Sequence, residues 1–239
     1  MQDKSGDEHK YFTCRQISPT DYRDYRIPGV LREALPVDRG ASILDIGCGF
    51  GHFLRALRES GYGSLAGVDI STEAVGHCRA EGLPVERIGD LQDYCCQATQ
   101  RYDFIVMSHV LEHVKKERII PTLRDIRLHL LNENGTLCVM VPNAQSATGC
   151  YWAYEDFTHT TLFTGGSLLH VLKAGGFRSV TFLDPEGLSG TPFPTRVIKR
   201  LLLRLYVANR HFWNRVTGSA FHRPSPELFT FEIKALARP

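Results

Sequence analysis

Ser42-Ile43-Leu44-Asp45-Ile46-Gly47-Cys48-Gly49-Phe50-Gly51 is the stretch on which the fold turns. Its first half is a short apolar run, which predicts a buried strand over 42–46. Its second half places glycines at alternate positions, 47, 49 and 51. A helical pattern follows directly over 51–60, with Phe53, Leu54 and Leu57 on one face. Glycine lets the backbone turn sharply there and approach a ligand closely, at a helix start whose free N–H groups favour anionic ends.

The same alternation continues outward. Strands are predicted over 65–70, 85–88, 103–107 and 135–141, the last after the turn Asn132-Glu133-Asn134-Gly135. Helical stretches fall over 72–81 and 118–131. Near-continuous apolar strands alternating with helices indicate a parallel sheet covered on both faces. Past Val141 come a long loop over 142–163 and a helix over 167–174 that stops at Gly175-Gly176. A strand over 177–183, a Gly/Pro-rich loop over 185–194, a helical stretch over 195–216 and a closing strand over 228–236 complete the chain. The expected fold class is therefore α/β: a doubly wound, Rossmann-like, mostly parallel seven-stranded sheet with helices on both faces. Right-handed crossovers gather the strand C-termini along one rim, where ligands bind. The expected divisions are an aromatic-rich helical extension over 1–40, a core over 41–183, and a basic helix with the closing strand of the same domain over 184–239.

Three features sharpen the reading of the glycine loop. A dinucleotide fingerprint requires a glycine three residues after Gly49, and that position is His52, which disfavours a nicotinamide enzyme. Asp69 closes the second strand, followed by Ile70, where a carboxylate can accept both ribose hydroxyls. Asp90 ends the third strand in Gly89-Asp90-Leu91, where an acid can accept from an adenine amino group. With these residues in order, the sequence resembles the class I S-adenosylmethionine-dependent methyltransferase superfamily over roughly 41–183. Asp45-x-Gly47-x-Gly49-x-Gly51 looks like its first motif, and Ser108-His109-Val110-Leu111-Glu112-His113 like the stretch after its fourth strand. The resemblance implies that S-adenosyl-L-methionine is the cofactor. Its methionine end would lie over the glycine loop, its ribose on Asp69 beside Ile70 and its adenine near Asp90 and Leu91, with His109 lining the pocket. An activated methyl leaves the protein mainly the task of alignment, which is worth roughly 7–11 kcal/mol at best.

Two constellations face the acceptor. His109-x-x-Glu112-His113 shares one face if its segment is helical, and such a set could hold a divalent metal. Metal-using relatives carry Glu-x-x-Glu-His, and here His109 replaces the first Glu, so no metal is expected. The second constellation is Asp156-Phe157-Thr158-His159. From Pro142-Asn143-Ala144 to Gly175-Gly176-Phe177 the chain resembles methyltransferases of bacterial polysaccharide and O-antigen gene clusters. That resemblance implies a sugar or glycan hydroxyl as acceptor. A hydroxyl is a poor nucleophile, and imidazole titrates in the right range to serve as its base. His159 is the expected base, with Asp156 fixing its tautomer and His113 the next candidate; alternatively His159 caps a backbone carbonyl. Tyr151, Trp152 and Tyr154 are expected to stack on the sugar. The rival acceptor is a small aromatic or quinone precursor, and the rival of another class is a non-catalytic cofactor-binding module.

Charge adds a further feature. Residues 194–226 carry seven Lys/Arg and no Asp or Glu, which leaves −5 on the rest of a chain whose total is +2. Within 195–216 these cations interleave with Val197, Ile198, Leu201, Leu202 and Trp213, a pattern that suits a lid, a dimer face or peripheral contact with an anionic membrane. Nucleic acid is not expected, since the aromatic interleaving of a stacking platform is absent. The seven cysteines form no CxxC pair, and residues 1–10 are polar, with no apolar leader core. The expectation is a reduced, cytoplasmic protein, at most peripheral to the inner membrane face.

Overall fold

The run read as a strand becomes β1 (Ile43–Ile46), with all four residues buried, in a computed structural model that describes residues 11–239. β2 (Leu65–Asp69) and β4 (Tyr102–Ser108) flank β1 in parallel. β3 (Val85–Arg87) pairs with β2, and β5 (Leu131–Pro142) with β4, again in parallel. β7 (Glu232–Arg238) runs antiparallel between β5 and β6 (Ser179–Leu183). The order is β3-β2-β1-β4-β5-β7-β6, a doubly wound seven-stranded sheet. Strand order reverses between β1 and β4, so a crevice opens beyond their C-terminal ends.

Alternation along the strands assigns the two layers. Ile43, Phe104, Val106, Cys138 and Met140 face one side, under Leu31 of α2 (Gly29–Ala34) and Phe53 and Leu57 of α3 (His52–Glu59). α4 (Thr72–Ala80), capped by Ser71 Oγ on the Ala74 N–H at 3.2 Å, packs Val75 and Cys78 against Leu54 on the same side. Leu44, Ile46, Ile105, Met107, Val139 and Val141 face the other side. There they meet Cys95 of α5 (Leu91–Gln97), Leu123 of α6 (Ile119–Asp125), and Leu168 and Leu172 of α8 (Gly165–Ala174). Full burial of each such leucine is worth about 1.5–3 kcal/mol.

The structure departs from the sequence reading in several places. The turn at 132–135 lies inside β5: Tyr102 pairs with Leu131 and Phe104 with Thr136, so the intervening residues bulge out of register. The helical stretch over 118–131 splits, with α6 followed by a π turn over Ile126–Leu130. The loop over 142–163 contains a helix, α7 (Gly149–Glu155). The closing strand starts four residues late, at Glu232. In the N-terminal extension, α1 (Tyr11–Cys14) and a 3-10 turn (Pro19–Tyr22) precede α2. Residues 1–10, where no leader is expected, lie outside the described residues. α9 (Phe193–Thr217) is one continuous helix with no buried residue. All seven cysteines are free thiols. Among the described residues, no helix is long and apolar enough to cross a membrane.

Candidate active site

The glycine loop leaves β1 and turns through three left-handed residues, Gly47, Gly49 and Gly51, with φ of 71°, 50° and 73°. L side chains are strained in that region. At Gly47 a Cβ would also collide with Val110 Cγ2, so any larger residue displaces the segment after β4. The Gly49 N–H donates to Asp69 Oδ2 at 2.8 Å, and the Ser71 N–H to Asp69 Oδ1 at 2.8 Å. Asp69 is thereby fixed at the tip of β2, beside Asp45, the last residue but one of β1. Burial pushes the Asp45 carboxyl up to about 8, with the charge of Asp69 second. Burial also raises Asp69, against the backbone N–H groups that lower it. Two buried acids raised in this way, beneath a glycine cradle, fit a ligand that brings positive charge.

Asp90 lies farther along the rim. One oxygen accepts from the Gln92 and Asp93 N–H groups and caps α5, which Leu91 begins. Arg118 takes both oxygens, at 2.8 and 2.9 Å. The arginine holds this carboxyl below the usual range. Ile70 is exposed on the same rim. Arg118 carried no sequence signal, since it lies 28 positions from Asp90.

The two acceptor-side constellations meet in one place. Residues 109–113 do not form an α-helix: Leu111–His113 is a single 3-10 turn, and His109 precedes it at φ 53°. His109 sits between Glu112 Oε1 at 3.3 Å and Glu232 Oε1 at 2.8 Å. Burial opposes charge on His109, but the two carboxylates outweigh it and hold the ring up to about 10. Glu232 comes from β7, which the strand order brings beside β5.

His113 faces the loop after β5, its ring 4.7 Å from that of His159. The Thr158 hydroxyl donates to Asp156 Oδ1 at 2.6 Å and lies 2.8 Å from His113 Nδ1. A hydroxyl already donating to a carboxylate can only accept from the ring, which places the His113 proton on Nδ1. Burial lowers the His113 pKa. His159 Nδ1 lies 2.7 Å from the Trp152 carbonyl in α7, and a carbonyl accepts only, so this ring also carries its proton on Nδ1. Trp152, not Asp156, therefore sets the His159 tautomer. The carbonyl cap weighed from sequence is present, and it leaves Nε2 free to accept. His159 Nε2 lies 3.7 Å from Asp156 Oδ2 and 4.0 Å from Glu112 Oε1. Glu112 is fully buried, and apart from the His109 ring 3.3 Å from Oε1 its carboxylate has no hydrogen-bond donor among the described residues. Glu112, His113 and His159 each offer a ligand atom, all within 4.8 Å of one another.

Asp156 anchors the N-terminal strap. Its Oδ2 accepts from Tyr11 Oη at 2.7 Å and pairs with Arg15 at 3.1 Å. Burial raises this carboxyl, and the Thr158 and Tyr11 hydrogen bonds outweigh it, holding it at about 2. Phe12 on α1 lies 4.6 Å from Phe50, ring to ring, and covers Gly49. The strap thus spans the glycine loop and the acceptor cluster. Tyr11 and Arg15 were missed because only the aromatic richness of their segment was legible. Of the aromatics expected to stack on a sugar, Tyr154 is 80% exposed and Tyr151 54%, while Trp152 packs edge-on against Phe231 at 5.5 Å.

Comparison with known proteins gives a family. The family described as "Methyltransferase domain" matches residues 20–181. A ubiquinone biosynthesis O-methyltransferase of Xylella fastidiosa is 31% identical over 109 residues, 44% of this chain and 43% of that protein. The match therefore spans less than half the length of that curated relative. Among solved structures, an S-adenosylmethionine-dependent methyltransferase of Archaeoglobus fulgidus superposes with a TM-score of 0.63 at 23% identity, covering 87% of this chain and 91% of the other. One from Mesorhizobium loti gives 0.54 at 20%, covering 87% and 95%. Both have the same fold.

Proposed function

Because the chain belongs to the methyltransferase domain family, we propose that it methylates a hydroxyl oxygen of a sugar or glycan intermediate. The cofactor is S-adenosylmethionine, which supplies an activated methyl carbon on a positively charged sulfur. The glycine loop cradles its amino-acid end, the Asp45/Asp69 pair balances its positive charge, and Asp69 accepts from its ribose. The rim at Ile70 and Leu91 borders the adenine, with Asp90 reaching it while held by Arg118.

One observation carries the acceptor reading. The buried Glu112 carboxylate, paired on one side with His109, converges with the rings of His113 and His159 beside the glycine loop, one ligand atom of each within 4.8 Å of the others. A carboxylate and imidazole lone pairs gathered this closely suit a ligand that donates protons, and a polyhydroxylated acceptor does so. His159 takes the proton from the reacting hydroxyl, and Glu112, 4.0 Å away, stabilises the imidazolium that forms. His113 binds a second hydroxyl. Tyr151 and Tyr154 offer faces to the sugar ring at the mouth. His109, paired with two carboxylates, is a fixed cation that positions Glu112.

A second reading has its own support. The curated relatives are named for ubiquinone biosynthesis, and Glu112, His113 and His159 could hold a divalent cation that binds a pair of phenolic oxygens. The deciding experiment presents labelled S-adenosylmethionine with nucleotide-sugars, lipid-linked sugars and catechols in parallel. Label on a sugar oxygen supports the first reading, label on a catechol oxygen alone supports the second, and no transfer to any hydroxyl refutes both.

A further inference from the structure

Residues 184–231 leave the sheet after β6 and return to it at β7. Leu183 pairs with Lys234, and Pro142 with Glu232, so this excursion stands on the rim where β5 ends, beside the His113/His159 cluster. α9 is its main element, 25 residues long, or about 37 Å. Leu203 and Val207 turn toward Phe229 and line a groove of about 380 Å³. A second groove of about 610 Å³ runs from Lys199 and Tyr206 to Phe231 and Glu232, the carboxylate that holds His109.

Among the described residues, nothing covers the other side of α9. Val197, Leu201, Leu205, Phe212, Trp213 and Val216 are each more than half exposed. At 3.6 residues per turn they fall within an arc of roughly 160°, facing away from Leu203 and Val207. Arg204 and Arg215 lie along one edge of that arc and Lys199 along the other. The helix holds six Lys/Arg and no carboxylate. Arg200 pairs with Glu186 at 3.0 Å, whereas Arg204 and Arg215 have no ion pair among the described residues.

We infer that this face of α9 seats on an anionic lipid bilayer. Charge complementarity selects that occupant. A second copy of the chain would bring cationic edges against cationic edges, with no acidic side chain on either helix to pair them. An anionic bilayer offers hydrocarbon to the apolar arc and phosphate to its edges at once. On the hydroxyl-acceptor reading above, the seated helix also places the groove that ends at Glu232 at headgroup level. An amphiphilic acceptor then presents its hydroxyl to the cluster while its tail stays in the membrane.

The test uses the full chain with vesicles of phosphatidylcholine alone and of phosphatidylcholine mixed with phosphatidylglycerol. The protein is expected to sediment with the anionic vesicles only, to be released by salt, and to show a blue shift in emission that Trp213→Phe removes. The Arg204→Glu/Arg215→Glu variant changes two exposed side chains and is expected to lose about 30-fold or more in partitioning. Equal partition into both vesicle types, or into neither, overturns the inference. So does a stable dimer in light scattering that Leu201→Glu splits and that excludes vesicle binding. Methyl transfer is not read in this experiment, so its failure leaves the proposed chemistry standing.

Discussion

Replacing Asp45 by asparagine removes one titrating charge while keeping the shape of a buried side chain near the end of β1. In the folded chain this carboxyl is pushed up to about 8, against an ordinary 3.8, by burial first and by Asp69 second. A raised acid keeps its proton in the folded state and releases it in the unfolded one. Its favourable contribution is therefore complete below about pH 4 and is lost as pH rises through about 8. At about pH 5 the unfolded state gains from roughly one unit of the gap, and at about pH 9 from all four. The difference of about three units is ~4 kcal/mol. In a chain of 239 residues, ~4 kcal/mol corresponds to ~8 °C in melting temperature. Thermal unfolding of the wild type and Asp45→Asn, followed by circular dichroism without cofactor at both pH values, reads this directly. The variant is expected to gain ~8 °C relative to the wild type on going from about pH 5 to about pH 9. Because the comparison is between two pH values, any constant cost of the amide cancels. A melting difference that stays the same at both pH values refutes the buried-acid argument.

Two further outcomes follow from the site. Asp69→Ala and Gly47→Val are each expected to weaken S-adenosylmethionine binding in calorimetry by ~2 kcal/mol or more. The first removes a fixed carboxylate, and the second drives a side chain into Val110; unchanged affinity in both would remove the cofactor from this cleft. Exhaustive chelation is expected to leave turnover intact, because the role proposed for His159 is that of a base. Activity lost to a chelator and restored by Mg2+, Mn2+ or Zn2+ would instead make Glu112, His113 and His159 ligands.

What the sequence revealed was local. Strands β1, β2 and β4 announce themselves as apolar runs, and the glycine loop by its spacing, so the crevice and its two acids could be named before any coordinates. Relations across the chain were not legible. Glu232 reaches His109 only because β7 inserts between β5 and β6, and no periodicity encodes that order. Arg118 reaches Asp90 across a crossover, and Tyr11 reaches Asp156 across 145 positions. The two constellations read as separate, 109–113 and 156–159, converge because the ends of β4 and β5 are neighbours. α7 went unseen because it is seven residues long, too short for a helical pattern to stand out. Its presence supplies the Trp152 carbonyl that orients His159, a role the sequence reading gave to Asp156 from proximity alone.

The central claim is that His159 accepts the proton of the reacting hydroxyl. The measurement that tests it most directly is turnover of His159→Ala with a hydroxyl acceptor, set beside S-adenosylmethionine affinity by calorimetry. A base that acts in the transition state affects rate rather than cofactor binding, so turnover is expected to fall ~100-fold or more while affinity stays near wild type. Retention of more than about a third of wild-type turnover, a loss too small for a missing general base, would contradict the account.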